Sequence, residues 1–332
     1  MNVPELLRIS GGYWHSCTIH AGVKLDVFSV LAGTPMTAQE LAHHLQVDTR
    51  SLEMLLNALT AMALLEKREE HFLTTTFSAI HLNRDSPDYI GHIILHHHNL
   101  VEGWGKLDQA VQQGGPVRSR STQDPDGSER ENFLMGMFNL ASMLAPHIAA
   151  NVDLQGRRRL LDLGGGPGTY AIHFCKYNPD LSAVIYDLPT TRPFAEQTVQ
   201  RFALGDRIVF HGRNILHDPI DAAFDVVWVS HLLHAHGPEA CETIIAKAAA
   251  ALHPGGLLLI QEFLLDDNRA APLQPALFSL NMLIGTPSGQ SYSQGEVAHM
   301  LAAAGMVDIR RLPIKLPNGA GIMAGVRPNG PG

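Results

Sequence analysis

The sequence predicts a doubly wound α/β domain that follows a mostly α-helical module, and two patterns carry this prediction. From Arg159 onward, short apolar runs alternate with helical stretches, as strands and helices do around a parallel sheet that is covered on both faces. Residues 1–100 instead have the pattern of helices with one short β-ribbon. We therefore expect a helical domain over residues 1–100, and linker helices followed by the α/β domain over residues 101–332.

The N-terminal module has the element order of a winged helix. Thr37 and Glu40 have the spacing of a capping box, the leucines of TRSLEMLLNALTAMALL recur at helical spacing, and KREEHFLTTTF alternates like a two-stranded wing. Over residues 37–80, however, six acids stand against three bases, and the second helix offers mainly Leu, Met, Ala and Asn. A DNA reader would carry basic and base-contacting residues there. The module is therefore expected to serve dimerisation or to cover another domain.

The composition excludes several classes of protein. The chain has 24 Lys plus Arg against 32 Asp plus Glu, a formal net charge of −8, which argues against binding to nucleic-acid phosphates or to anionic membranes. No run of about 18 apolar residues predicts a spanning helix, and no signal peptide is evident. The 3 cysteines are far apart, so they predict no disulfide framework. We expect a cytoplasmic protein with no nucleic-acid or membrane partner.

The most specific motif is LLDLGGGPGTY, residues 160–170. A predicted strand runs into spaced glycines, and a helix begins near Thr169. Glycine lets the backbone approach a ligand closely, and the start of a helix supplies unpaired N–H groups. The next strand ends in Asp187, about 20 residues further on, where a carboxylate suits the hydroxyls of a ribose. These features predict a nucleoside-binding cradle in a Rossmann-like domain.

The spacing of the glycines discriminates between two classes of cofactor. Dinucleotide sites favour G-x-G-x-x-G, whereas Gly164, Gly166 and Gly168 are spaced in steps of two, and Thr169 stands where the third dinucleotide glycine belongs. Asp162 adds an acid near the ligand, which would repel a pyrophosphate but suits an ammonium group. The motif therefore predicts binding of S-adenosylmethionine (SAM).

The motifs together resemble those of small-molecule O-methyltransferases, the family that includes caffeate and acetylserotonin O-methyltransferases and bacterial natural-product enzymes. LLDLGGGPGTYAIHF resembles the family's cofactor loop, VIYDLP its ribose-binding strand end, and VSHLLHAHGPEA its L-H-D-W segment. FHGRNILHDPI is similar to the family stretch H-x-G-D-F-F-x-D-P. The similarity spans nearly the whole chain. It implies SAM-dependent methyl transfer to a small molecule and a homodimer formed through the N-terminal helices.

The resemblance also implies roles for individual residues. His234 matches the family's general base, which would deprotonate an acceptor hydroxyl, and Glu262 matches the glutamate that orients this base. Asn214 stands where the family commonly has the Asp that contacts the adenine amino group. The predicted cofactor-binding residues are Asp162, Gly164, Gly166, Asp187, Asn214, Ile215 and Ser230. The predicted substrate-wall residues are Met137, Asn281, Met282 and Thr286.

The sequence departs from the family pattern around the base. Ser291 stands where the family has a second supporting carboxylate, and Ala235 and His236 replace the Asp and Trp of L-H-D-W. Serine cannot supply the charge of a carboxylate. These departures leave base catalysis on a phenol open to alternatives.

Two alternatives follow from other residue patterns. If their segment is helical, His231 and His234 share one face, and with Gln290 they could bind a divalent or ferric metal. Some family relatives that methylate the β-carbon of α-keto acids resemble this layout, and the metal would stabilise the enolate. The first alternative is therefore a metal-dependent C-methyltransferase. The second is a SAM-binding winged-helix regulator, against which the acidic balance of the module counts.

Overall fold

The structure is a computed structural model, and it describes residues 1–118, 127–221 and 223–329. The chain separates into two compact units. The first comprises Met1–Val101 and Asp124–Asn139, and the second comprises Glu102–Gln123 and Leu140–Gly332.

The first unit is built from short helices and a small antiparallel sheet. Its helices are α1 (Val3–Ser10), α2 (Tyr13–Lys24), α3 (Val27–Val30), α4 (Ala38–Leu45), α5 (Thr49–Ala61), α6 (Thr76–His81) and α7 (Gly91–Trp104), whose end lies in the second unit. Its strands are β1 (Met36–Thr37), β2 (Leu65–Arg68) and β3 (His71–Thr74). Thr37 and Glu40 form the predicted capping box at the start of α4. The predicted two-stranded wing has a third strand, because β1 pairs with β3.

The second unit alternates strands and helices. Its helices are α8 (Leu107–Gln113), α9 (Ser128–Asn151, which begins in the first unit), α10 (Thr169–Tyr177), α11 (Arg192–Arg201), α12 (Pro238–Ala251), α13 (Leu273–Gly285) and α14 (Gln294–Ala303). Its strands are β4 (Arg159–Leu163), β5 (Ser182–Asp187), β6 (Ile208–Gly212), β7 (Phe224–Ser230), β8 (Leu252–Leu265), β9 (Tyr292–Ser293), β10 (Val307–Arg311) and β11 (Ala320–Val326). The predicted α/β alternation is thus confirmed.

The strands of the second unit form one mixed sheet in the described residues. Its order is β10-β11-β8-β7-β4-β5-β6, and β9 pairs with β8 outside this path. Strands β4 to β8 run parallel, whereas β11 is antiparallel to both of its neighbours. The chain order reverses at β4, which has β5 on one side and β7 on the other. Open α/β sheets bind ligands at the carboxyl ends of the strands beside such a reversal.

Both faces of this sheet are buried. Leu160 and Trp228 belong to one hydrophobic cluster, whereas their chain neighbours Leu161 and Val227 belong to a second cluster. This alternation follows from the two-residue period of a strand, because successive side chains point to opposite faces. The sheet is therefore covered on both sides, as a doubly wound fold requires.

Helix α9 is apolar along much of its length. By length and composition alone it could cross a membrane, and it is the one helix of the described residues that meets this criterion. Its residues Ala145, Ile148 and Ala149 are buried in a core cluster of the second unit. The core helix of a folded domain meets the same criterion, and packing in the core accounts for these apolar positions.

Candidate active site

The glycine segment lies at the carboxyl end of β4. The backbone N–H of Gly164 donates to the carbonyl of Tyr186 at 2.7 Å, which ties the loop to the end of β5. Gly168 has a φ of +81°, and a Cβ there would overlap the Ile185 side chain, so this position requires glycine. Gly166 also has a positive φ, +54°, but no atom of the described residues lies within 4 Å of a Cβ built there. The loop therefore leaves space for a ligand above Gly166.

Asp162 is buried beneath this loop. Its Oδ2 accepts a hydrogen bond from the backbone N–H of Ala171 at 3.2 Å, while its Oδ1 has no partner in the part of the chain that the structure describes. Burial is the main cause that raises the pKa of Asp162 to about 7, against the Ala171 hydrogen bond, and the charge of Asp187 adds to the shift. A buried oxygen without a donor suits a cofactor that brings a donor or a positive charge, as SAM does.

Asp187 lies at the end of β5, on the other side of the loop. Its Oδ2 accepts from the backbone N–H of Gly166 at 2.9 Å, and its Oδ1 accepts from the Thr191 hydroxyl at 2.8 Å. Burial raises the pKa of Asp187, and the three hydrogen bonds that it accepts from the protein oppose this shift. A carboxylate has about four acceptor sites and the protein uses three of them, so Asp187 keeps a site on Oδ2 for a ribose hydroxyl.

Three further predicted cofactor residues lie at the ends of β6 and β7, the strands on either side of β4 and β5 in the sheet. Asn214 and Ile215 follow β6, and the Asn214 Oδ1 accepts from the Leu216 N–H at 3.1 Å, which leaves its second lone pair for an adenine amino group. Ser230 ends β7, and its hydroxyl donates to Gln261 Oε1 at 3.3 Å. The structure thus brings the predicted cofactor residues to one edge of the sheet, and the cradle fits SAM.

His234 and Glu262 form a pair, although only Glu262 lies on a strand. His234 lies in a 3₁₀ turn, Leu233–Ala235, shortly after β7, and Glu262 lies in β8, which pairs with β7. The Nδ1 of His234 is 2.8 Å from Glu262 Oε2, and Glu262 Oε1 accepts from the Leu233 N–H at 2.9 Å. Because a carboxylate only accepts, Nδ1 carries the proton of the neutral imidazole. The lone pair of Nε2 is then available to take a proton.

Glu262 is buried, with 2% of its side chain exposed. Burial alone would raise the pKa of Glu262, but the charge of His234 and the contacts of His231 and His234 outweigh it. They hold the pKa of this carboxyl well below its usual range. Glu262 is therefore ionised at neutral pH, and its negative charge lies beside the imidazole of His234.

His231 lies beside the same carboxylate, but not on a shared helix face. Its φ of +50° turns the chain immediately after β7, and only the short 3₁₀ turn follows. Its Nδ1 is 3.6 Å from Glu262 Oε2, and the ligand atoms of His231, His234 and Glu262 all lie within 4.8 Å of one another. Gln290, the third ligand of the metal alternative, instead accepts from Arg269 at 3.2 Å. The third group beside the two histidines is Glu262, whereas Gln290 is engaged by Arg269.

Aromatic rings that the sequence analysis missed surround the histidines. The Phe278 ring stands edge-on to His234 with ring centroids 4.8 Å apart, and the Phe263 ring lies 4.6 Å from His231. Two signals were present: Phe263 directly follows Glu262 in β8, and Phe278 is four residues before the predicted Met282 on α13. His234 is therefore set against an apolar, aromatic wall.

The predicted substrate residues occupy different environments. Asn281 and Met282 are half-buried on α13, and Asn281 Oδ1 accepts from the Trp104 indole at 3.1 Å. The Thr286 hydroxyl is engaged locally, because it donates to the Met282 carbonyl at 2.7 Å. Met137 is half-buried on α9, in the first unit.

Ser291 does not stand in for the missing carboxylate. Its hydroxyl is buried and donates to the backbone carbonyl of Pro275 at 2.8 Å. In the described residues, Glu262 is the one carboxylate that contacts His234. Among the described residues, His234 is therefore supported by one acid.

Comparison with known proteins identifies the family. The family model of the O-methyltransferase domain matches residues 104–307, and that of the O-methyltransferase dimerisation domain matches residues 7–84. The 3-hydroxy-5-methyl-1-naphthoate 3-O-methyltransferase of Streptomyces sahachiroi is 33% identical over 332 residues, which cover 98% of this chain and 95% of the relative. The tetracenomycin polyketide synthesis 8-O-methyl transferase TcmO of Streptomyces glaucescens is 30% identical, with 95% and 94% covered.

A solved structure of an O-methyltransferase family protein has the same fold as this chain. An O-methyltransferase family protein from Burkholderia thailandensis has a TM-score of 0.89 and 28% identity, over 100% of this chain and 99% of that one. The second unit accordingly has the class I SAM methyltransferase fold. The comparisons give no support to the metal-dependent C-methyltransferase or to the regulator. With its glycine cradle and its His234–Glu262 pair, the chain belongs to the O-methyltransferase family and is a SAM-dependent methyltransferase.

Proposed function

We propose that this enzyme methylates a hydroxyl group of a small aromatic molecule, with His234 as the general base and Glu262 as the residue that orients it. The contact of 2.8 Å between His234 Nδ1 and Glu262 Oε2 carries this proposal. It fixes the tautomer in which Nε2 is the proton acceptor. A hydroxyl within hydrogen-bond reach of Nε2 would lose its proton there.

The residues of the cradle divide the work of holding the cofactor. Asp187 would accept a ribose hydroxyl, and Asn214 would accept from the adenine amino group. Asp162 would favour the ammonium end from beneath the loop. Gly164, Gly166, Ile215 and Ser230 complete the proposed set. When bound, SAM supplies a methyl group on a positively charged sulfur that is already activated for in-line displacement.

The protein's part in the reaction is alignment and proton transfer. His234 Nε2 would take the proton of the acceptor hydroxyl as this oxygen receives the methyl group that SAM supplies. The ionised Glu262 stabilises the resulting imidazolium, and its two hydrogen bonds keep the ring in place. The imidazolium then returns its proton to water.

A flat aromatic acceptor is favoured by the surroundings of the base. Phe263 and Phe278 pack against His231 and His234, so an acceptor ring near Nε2 would contact apolar faces. The two relatives are named for a naphthoate and a polyketide substrate, and both are O-methyltransferases. We include Asn281, Met282, Thr286 and Met137 as proposed substrate residues. A fused-ring phenol is the acceptor class to test first.

The proposed assembly is a homodimer in the cytoplasm, formed through a winged-helix module over residues 1–100. The dimerisation-domain match supports the pairing. Helix α1 has no buried residue, and Val3, Leu7 and Trp14 are each at least 65% exposed. An apolar face of this kind is usually covered by a partner, and a second copy is the partner that the family implies.

The function is tested by incubating the purified enzyme with SAM and a panel of hydroxynaphthoates and polycyclic phenols, and by detecting methyl ethers by mass spectrometry.

For the best acceptor, Glu262→Gln should lower the rate by about 10²- to 10⁴-fold, because a glutamine amide can donate to Nδ1 and so place the imidazole proton on Nε2. A Glu262→Gln enzyme that works at the wild-type rate would contradict the proposed pair. An enzyme that methylates a carbon of these acceptors would contradict the proposed reaction.

A further inference from the structure

The turn that carries His234 is fastened at both ends. We call residues 233–236 the His234 turn. At its start, Glu262 Oε1 accepts from the backbone N–H of Leu233 at 2.9 Å. At its end, the Tyr292 hydroxyl donates to the backbone carbonyl of His236 at 2.6 Å. The Cys241 Sγ lies 3.2 Å from the carbonyl of Leu233. The first contact is part of the proposed base, whereas the other two have no role in the mechanism above.

Tyr292 and Cys241 form a buried unit behind the turn. Tyr292 lies in β9, which pairs with the end of β8, and Cys241 lies in α12. Their side chains are almost fully buried, and the Cys241 Sγ is 3.4 Å from the Tyr292 hydroxyl. Burial is the main cause that raises the pKa of both groups, that of Cys241 to about 11, and the thiol beside it adds to the shift of Tyr292. Both side chains therefore keep their protons at neutral pH and can donate them.

The same segment of chain also restricts the turn by packing. A Cβ on Gly289 would overlap the backbone carbonyl of His234, so this position has no room for a side chain. Three residues further on, Tyr292 holds the end of the turn. Between them stands Ser291, which bonds Pro275 and does not reach the histidine as a carboxylate would. Residues 289–292 therefore fix the backbone of the His234 turn. They do not supply a carboxylate that could hold the imidazole itself.

We propose that Tyr292 is a positioning residue for methyl transfer that acts through His234. The Cys241 thiol lies beside the Tyr292 hydroxyl and supports it. Its hydroxyl holds the end of the His234 turn, so that Nδ1 stays on Glu262 and Nε2 stays directed at the acceptor. This proposal rests on the proposed role of His234 as the base. Tyr292 acts on the turn through its hydroxyl, which bonds the His236 carbonyl and lies beside the Cys241 thiol.

The direct test is Tyr292→Phe, which keeps the buried ring and removes the hydroxyl. We expect kcat to fall about tenfold, the effect of one lost hydrogen bond in the transition state, while KM for the acceptor and for SAM stays within twofold of the wild type. A residue that only supports the fold would lower the melting temperature without this separation of kcat from KM. An unchanged kcat, or parallel losses in kcat and in SAM binding, would overturn the proposal.

Two cysteine variants provide a matched comparison. Cys241→Ala removes a thiol next to the turn, whereas Cys175→Ala removes an equally buried thiol from α10. We expect both to lose similar stability, and only Cys241→Ala to lower kcat. This pair carries the test if Tyr292→Phe does not fold. Equal kcat values for the two variants would refute the role of Cys241.

A double variant distinguishes a failure of the Tyr292 proposal from a failure of the proposed role of His234 as the base. If Tyr292 acts through His234, then adding Tyr292→Phe to His234→Ala should cause no further loss of kcat, because the group that it positions is already absent. A full further tenfold loss would mean that Tyr292 acts by another route and would refute the proposal. If His234→Ala alone keeps the wild-type rate, the proposed base is wrong, and the positioning role is lost with it.

Discussion

The carboxylate of Asp187 accepts a hydrogen bond from the backbone N–H of Gly166 at 2.9 Å. Asp187 ends β5 and Gly166 lies in the loop after β4, so this bond joins two neighbouring strand ends at the point where the order of the sheet reverses. The residue proposed to hold the ribose therefore also shapes the loop that would hold the rest of the cofactor. If Asp187 holds the ribose as proposed, one side chain links the shape of the loop to the affinity for the cofactor.

Asp187→Asn should weaken the binding of S-adenosylhomocysteine about 10- to 100-fold, because hydrogen bonds to a charged acceptor contribute about 1.5–3 kcal/mol. Isothermal titration calorimetry measures this directly. Asp180→Asn is the control, since Asp180 is an exposed acid in the turn before β5. Equal affinity for all three proteins would exclude Asp187 from the cofactor site.

The stability of the unliganded enzyme should depend on the titration of Asp162. Its pKa is about 7 in the folded protein against 3.8 for an ordinary Asp, so between these values the folded state holds a proton that the unfolded state has released. Raising the pH from 4 to 7 must then favour unfolding, by on the order of 3 kcal/mol. Above pH 7 this destabilisation is complete.

Asp162→Asn should remove this dependence. In urea unfolding at pH 5 and pH 8, the free energy of unfolding of the variant should rise relative to the wild type at the higher pH. A constant cost of burying the amide cancels in this comparison. For the control Asp180→Asn, the difference in free energy of unfolding from the wild type should be the same at both pH values. If it is also the same at both pH values for Asp162→Asn, then Asp162 has an ordinary pKa.

The dimer should depend on the exposed face of α1. Leu7→Asp places a charge in the middle of this face, and burying it in an interface without a partner is unfavourable. Sedimentation velocity at micromolar concentration should give a dimer for the wild type and a monomer for Leu7→Asp. Leu273→Asp is the control, because Leu273 is equally exposed but lies on α13 in the second unit. A dimer that survives Leu7→Asp would assign the interface to other residues.

The parts of the fold that local sequence specifies were predictable. The glycine loop and the carboxylate at Asp187 follow from spacing within one strand–loop–helix unit, and the strand alternation follows from two-residue periodicity. The third strand of the small sheet was missed, because the two residues of Met36–Thr37 are too few to have a period. Two-residue strands are recognised only by the partner with which they pair.

The candidate site was predictable where the family pattern supplied the pairing, as for His234 and Glu262. The place of Gln290 in the substrate segment makes it a candidate ligand, yet in the structure it accepts from Arg269, a contact that no local pattern predicts. Phe278 was missed because which side of α13 faces the histidines is set by packing against distant strands. Such contacts depend on the tertiary fold rather than on local spacing.

The role of His234 as the base is tested most directly by the rate of a single turnover with His234→Ala. With saturating SAM and a phenol whose hydroxyl is protonated at the assay pH, methyl transfer should be about 10²- to 10⁴-fold slower than in the wild type. Binding of S-adenosylhomocysteine should be unchanged, and an acceptor whose hydroxyl is already ionised should recover much of the rate. A His234→Ala enzyme that methylates the protonated phenol at the wild-type rate would contradict the account.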